Sequence, residues 1–104
     1  MSIRIKERRR LTPESTLKAA VKEYLNITGW FCFPILQGLG AYKGISDLIA
    51  LKEGKVLFIE LKSPKGKLSP YQEAFKQAVE SYGGAYIVVR SVDDLMELSQ
   101  ERSI

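Results

Sequence analysis

The sequence predicts a single α/β domain, a four-stranded mixed sheet flanked by helices in the order αβββαβα. Three observations carry that prediction. Two helical segments open on a cap followed by proline and stop at glycine, and between them lies a hairpin whose arms are apolar on both faces. The length, 104 residues, suffices for one modest core and not for two.

Thr12-Pro13 reads as N-cap and first helical position. Leu17, Ala20, Val21, Tyr24 and Leu25 follow at helical spacing until Gly29 stops the pattern. Trp30-Phe31-Cys32-Phe33 is aromatic-rich and reads as a strand ended by Pro34. A loop through Gly38, Gly40 and Gly44 then delivers the chain to Asp47. Leu48-Ile49-Ala50-Leu51 and Val56-Leu57-Phe58-Ile59-Glu60-Leu61-Lys62 form a hairpin about the turn Lys52-Glu53-Gly54-Lys55. Strands apolar on both faces belong in mid-sheet under helices, so charged groups at their ends need an explanation.

After a lysine- and glycine-bearing loop from Ser63 to Leu68, Ser69-Pro70-Tyr71-Gln72 forms a capping box and opens a second helix. That helix carries Tyr71, Phe75, Ala78, Val79 and Tyr82 at helical spacing and ends at Gly83-Gly84. Ala85 to Val89 is a strand that a right-handed crossover can lay parallel to a hairpin arm. Ser91 with Asp94 caps a short last helix through Leu95, Met96 and Leu98.

Composition narrows the chemistry. The 45% hydrophobic and 27% charged residues are those of an ordinary globular chain. A single Cys32 excludes an internal disulfide framework, and the absence of histidine removes the usual zinc sites and every histidine-based triad. Carboxylates, lysine, hydroxyls or a hard metal ion remain. No apolar run is long enough for a membrane span and no secretory leader pattern is present, so the chain is expected to stay where it is made.

The net charge of +4 arises in the first ten residues, where Arg4, Lys6, Arg8, Arg9 and Arg10 face only Glu7. Residues 1–11 therefore read as a basic arm ahead of a domain at 12–104. Arg8, Arg9 and Arg10 either anchor a nucleic-acid backbone, releasing its counterions, or form a solvated terminus that keeps the chain soluble.

If the hairpin turns about Glu53-Gly54, Asp47 falls opposite Glu60. Directly opposed residues hold their β-carbons about 4.5 to 5.5 Å apart, where like charges repel unless a proton or cation intervenes. Lys62, two residues beyond Glu60, projects from the same face. Magnesium suits such a place, since it takes oxygen ligands from one or two carboxylates plus substrate phosphate; the backbone carbonyl of Leu61 can add another oxygen. Metal and lysine together can supply what phosphodiester hydrolysis needs, an activated water and charge stabilisation on the phosphate. Taken singly, Asp47 is a turn cap and Glu60 and Lys62 are strand-end charges in a weak surface pair. Taken together, placed by one register, they favour the metal-site reading.

Asp47, followed 13 residues later by Glu60-Leu61-Lys62, matches the pattern of the PD-(D/E)XK nuclease superfamily. With Glu14, Gly44-Ile45-Ser46-Asp47 and Gln72, residues 12 to about 90 resemble the VRR-NUC family of virus-type replication and repair nucleases. The resemblance implies a restriction-endonuclease or Holliday-junction-resolvase-like fold and a DNA endonuclease dependent on Mg2+, with Mn2+ substituting. It further implies a homodimer acting on branched DNA such as a four-way junction, in the cytoplasm of a bacterial or phage-infected cell. A nuclease acting on flap or linear DNA, and a non-catalytic nucleic-acid-binding module, are the competing readings. Ser46 stands where the superfamily name expects proline; serine also makes the turn.

The remaining positions divide between function and structure. Glu14 either joins the metal site, directly or through water, as the resemblance favours, or complements the helix dipole. Gln72 either completes the Ser69 capping box or turns its amide to the site, two roles expected to need different rotamers. Tyr71 reads as packing. Lys43, Lys65 and Lys67 are phosphate contacts or solvated loop lysines, and Gly38 and Gly40 permit either close approach to DNA or simply the turn. Trp30, Ile35, Leu36 and Leu39 are candidates for the dimer surface or the core.

Overall fold

The computed structural model describes residues 12–102, so the basic arm with Arg8, Arg9 and Arg10 lies outside the described residues. Helix α1 (Pro13–Ile27) starts where expected, because the Thr12 hydroxyl accepts from the Ser15 N–H at 3.0 Å and the Ser15 hydroxyl accepts from the Thr12 N–H at 3.1 Å. Strand β1 (Phe31–Pro34) follows, with Pro34 inside its last position rather than beyond it. That is possible because β1 is an edge strand in the sheet order β1-β2-β3-β4.

Strands β2 (Leu48–Lys52) and β3 (Lys55–Leu61) form the predicted hairpin. Glu53 and Gly54 both adopt positive φ, 51° and 82°, as a two-residue hairpin turn demands. Pairing runs from Lys52↔Lys55 to Leu48↔Ile59, the register expected from the sequence. Helix α2 (Pro70–Ser81) leads to β4 (Ala85–Val89), which lies parallel to β3. Helix α3 (Val92–Arg102) is longer than expected; its start is tied by the Asp94 carboxylate, which accepts the Arg90 and Ser91 N–H groups at 2.7 and 3.3 Å.

The two faces of the sheet are unequal. On one, Leu48, Ala50, Leu57, Ile59, Leu61 and Val89 pack with Val21 and Leu25 of α1, Leu95 of α3 and Trp30. Trp30 is thus core, which removes it from the candidate dimer surface. On the other, Phe75 of α2 meets Phe58 and Tyr86 edge-on, with ring centroids 5.4 and 6.1 Å apart. No residue of α2 is fully buried, and Phe31, Leu51 and Val56 remain exposed, so this face is covered only in part. Glu60, two residues from Phe58 on β3, belongs to that second face. Among the described residues no helix is long and apolar enough to cross a membrane.

Candidate active site

The carboxylates meet where the hairpin ladder ends. One position beyond Leu48, the Asp47 N–H donates to the Ile59 carbonyl at 3.0 Å and its carboxylate Oδ2 accepts from the Leu61 N–H at 2.8 Å. The Asp47 carbonyl accepts from the Ile35 N–H at 2.9 Å. Backbone and side chain of Asp47 are therefore fixed at once, against the strand that carries Glu60.

Glu60 is only 3% exposed. Burial first, then the charge of Asp47 and a hydrogen bond to it, push its carboxyl up to about 8, with the Lys62 ammonium opposing. The Lys62 Nζ stands 4.0 Å from Glu60 Oε2, and its backbone N–H donates to the Val89 carbonyl at 3.1 Å. Strand alternation thus delivers the third residue as expected.

Gln72 corrects one expectation. Its Nε2 donates to Glu60 Oε2 at 3.0 Å while its Oε1 accepts from the Ser69 N–H at 2.9 Å, and Ser69 Oγ accepts from the Gln72 N–H at 3.1 Å. One rotamer serves cap and site together, because a primary amide carries its donor and acceptor at separate atoms.

Glu60 Oε1 is buried and has no hydrogen-bond partner. A buried carboxylate oxygen without a partner beside a second carboxylate calls for a proton or a cation. The two carboxylates offer only oxygen donors, which fit a hard divalent ion of the magnesium class. Among the described residues no three acidic, histidine or cysteine side chains cluster to hold a metal. Glu14 accordingly does not join Asp47 and Glu60; it lines a cavity of about 540 Å3 with Lys62, Ser63, Pro64 and Arg90.

Two positioning residues escape sequence reasoning. Gln37 Nε2 donates to the Ile45 and Ser46 carbonyls at 3.4 and 3.2 Å, closing the loop ahead of Asp47. Within that closure Ser46 is buried, its Oγ donating to the Leu48 carbonyl at 3.1 Å, which is how serine makes the turn. Arg90 Nη1 donates to the Ser63 and Gly66 carbonyls, both at 2.7 Å, and so holds the turn that follows Lys62. These partners lie 24 to 27 residues apart in sequence for Arg90, too far for any local pattern to reveal.

Lys65 and Lys67 lie exposed on that loop. Lys43 is placed on the other side, its Nζ 4.9 Å from the centre of the Tyr71 ring. Tyr71 is 59% exposed and is not the packing residue expected of it.

The raised Glu60 carboxyl makes metal-free stability depend on pH. A folded-state value above the unfolded one adds stability fully present below about 4.5 and lost as pH rises through about 8. The melting temperature of the metal-free protein is expected to fall between pH 5 and 8, and Glu60→Gln to flatten that fall. Parallel profiles for the two proteins in a thermal melt series would contradict it.

A family model described as the VRR-NUC domain matches residues 36–93, a span that includes Asp47, Glu60, Lys62, Gln72 and Arg90. A solved structure described as a VRR_NUC domain is similar to this chain with a TM-score of 0.77 at 24% identity, covering 88% of this chain and 99% of that one. No curated protein matches the chain.

Proposed function

From the premise that the chain belongs to the VRR-NUC family, and is thereby a nuclease acting on DNA, we propose a magnesium-dependent endonuclease built on Asp47, Glu60 and Lys62. Branched DNA, in particular a four-way junction, is its proposed substrate, and a homodimer its working form. The observation that carries the reading is the buried Glu60, one oxygen unpartnered, against the Asp47 carboxylate.

Asp47, Glu60 and the Leu61 carbonyl would hold the ion. When bound, it supplies Lewis acidity toward water and a phosphate oxygen and offsets the charge that develops there; manganese supplies the same. The chain's own groups do the rest. The Leu61 N–H and the Gln72 amide keep both carboxylates oriented, which spares reorganisation during the reaction. Lys62 orients the attacking water or, after shedding its own proton, takes one from it, and its charge counters that of the phosphate. Glu14, which lines the same cavity as Lys62, acts through water.

Lys43, Lys65 and Lys67, with Arg8, Arg9 and Arg10 of the 1–11 arm, contact the DNA backbone without reading sequence. Two-fold symmetry would let two identical sites cut opposing strands of a junction.

The test is cleavage of labelled four-way junction, flap and linear duplex with magnesium, manganese or EDTA. The junction should be cut fastest with either metal and not at all in EDTA, and Lys62→Ala should slow cutting by about 10²-fold or more while binding persists. Equal cutting of all three DNAs would remove the junction, and binding without metal-dependent cutting would leave a non-catalytic module.

A further inference from the structure

The DNA-facing surroundings of the carboxylate pair differ in kind on their two sides. On the Lys62 side lie Lys65, Lys67 and Arg90. On the Asp47 side, the loop ahead of it and the start of α2 enclose a cavity of about 630 Å3, whose walls include Leu39, Tyr42, Tyr71, Asp47 and Gln72. That volume lies within the range of small-molecule sites.

Among polar groups such as Gln37 and Ser69, this side also exposes large leucine and tyrosine side chains. Leu39 stands wholly in solvent, Tyr42 is 65% and Tyr71 59% exposed, and the one lysine lining the cavity, Lys43, is drawn over the Tyr71 ring. Gly38 and Gly40 line the same cavity with positive φ and no atom within 4 Å of where a β-carbon would stand, so the space above the loop backbone is open.

A continuous duplex offers phosphates and groove edges to such a surface; a tyrosine hydroxyl can bond a phosphate, but a leucine side chain and the face of a tyrosine ring gain little from either. Both gain from the flat face of a base out of its stack. Because the cavity shares Asp47 and Gln72 with the carboxylate site, its occupant must neighbour the phosphate that is cut. Resting on the nuclease reading, we propose that this cavity takes the base of an unpaired nucleotide beside the scissile bond, gripped by Leu39, Tyr42 and Tyr71. The cationic side then holds backbone while the cavity side tests whether a base is free. Preference for branched or otherwise interrupted DNA would come from the monomer itself, ahead of any symmetry of a dimer.

The test compares two DNAs that differ at one point: an unpaired nucleotide at the cleaved position, with its base or abasic. Affinity is measured in calcium and cleavage in magnesium, for the wild type, Leu39→Ser and Tyr71→Ala. Both altered residues are exposed and outside the core. The wild type should bind the base-bearing DNA about tenfold more tightly, and each variant should bring that ratio toward one. Equal affinity of the wild type for both DNAs overturns the proposal. So does an unchanged ratio in both variants, including the case where Leu39→Ser alters only the oligomeric state, which would mark a contact between copies. A clear base preference in calcium with no cleavage in magnesium would uphold the pocket while removing the nuclease chemistry.

Discussion

Asp47→Asn should lower DNA cleavage by roughly 10³-fold, about 4 kcal/mol of transition-state stabilisation, while leaving the fold nearly as stable as the wild type. Asparagine keeps a carbonyl oxygen where Asp47 Oδ2 accepts the Leu61 N–H, so the end of β3 stays capped. What it removes is the negative charge, and with it one of the two carboxylates of the donor set. The Glu60 carboxyl, no longer facing that charge, should fall from about 8 toward its ordinary range. Asp47→Ala differs instructively: it removes the acceptor too and leaves the Leu61 N–H unsatisfied, adding about 1 to 3 kcal/mol of destabilisation. Metal titration by calorimetry and single-turnover cleavage separate the two effects. Wild-type cleavage by a folded Asp47→Asn protein would remove Asp47 from the chemistry.

Gly44→Ala should be the most damaging single substitution in the loop. Gly44 sits at φ +83°, a conformation that costs alanine about 1 kcal/mol or more. The added β-carbon would also overlap the Tyr71 carbonyl, which is backbone at the start of α2 and has no rotamer to move away. Adding overpacking of about 1 to 3 kcal/mol gives a loss near 3 kcal/mol, a drop of about 12 to 24 °C in melting temperature. Cleavage should fall further than stability explains, because the same contact keeps the Asp47 turn against the helix that carries Gln72. Gly40→Ala makes the control: its φ is also positive, but nothing lies within 4 Å of the new carbon, so only the conformational cost remains. Equal melting temperatures for the two variants would refute the docking role of Gly44.

The site was legible in the sequence where local rules determine it. The Glu53-Gly54 turn sets the hairpin register, the register puts Asp47 beside Glu60, and the period of two adds Lys62. The caps at Thr12 and Ser69 start two helices because side chains reach N–H groups only three residues away. What stayed hidden depends on contacts between distant segments. Neither Gln37 nor Arg90 belongs to a pattern, since their partners are backbone carbonyls that only the folded loops bring near. Which face α2 covers, and how incompletely, follows from the crossover and not from the helix's own amphipathicity. Trp30 proved core because it packs with Val21 and Leu25 of α1 on the opposite face, whereas Tyr71 stays exposed at the start of the incompletely buried α2.

The Gln72 amide joins two events that are usually separate. Its oxygen completes the first turn of α2 and its nitrogen holds Glu60, so that turn cannot fray without releasing the buried acid, and a change in the acid's charge is felt as a change in helix order. Local folding at the start of α2 and the readiness of the carboxylate thus form one equilibrium. Whatever neutralises Glu60 in place, proton or ion, acts on the helix as well.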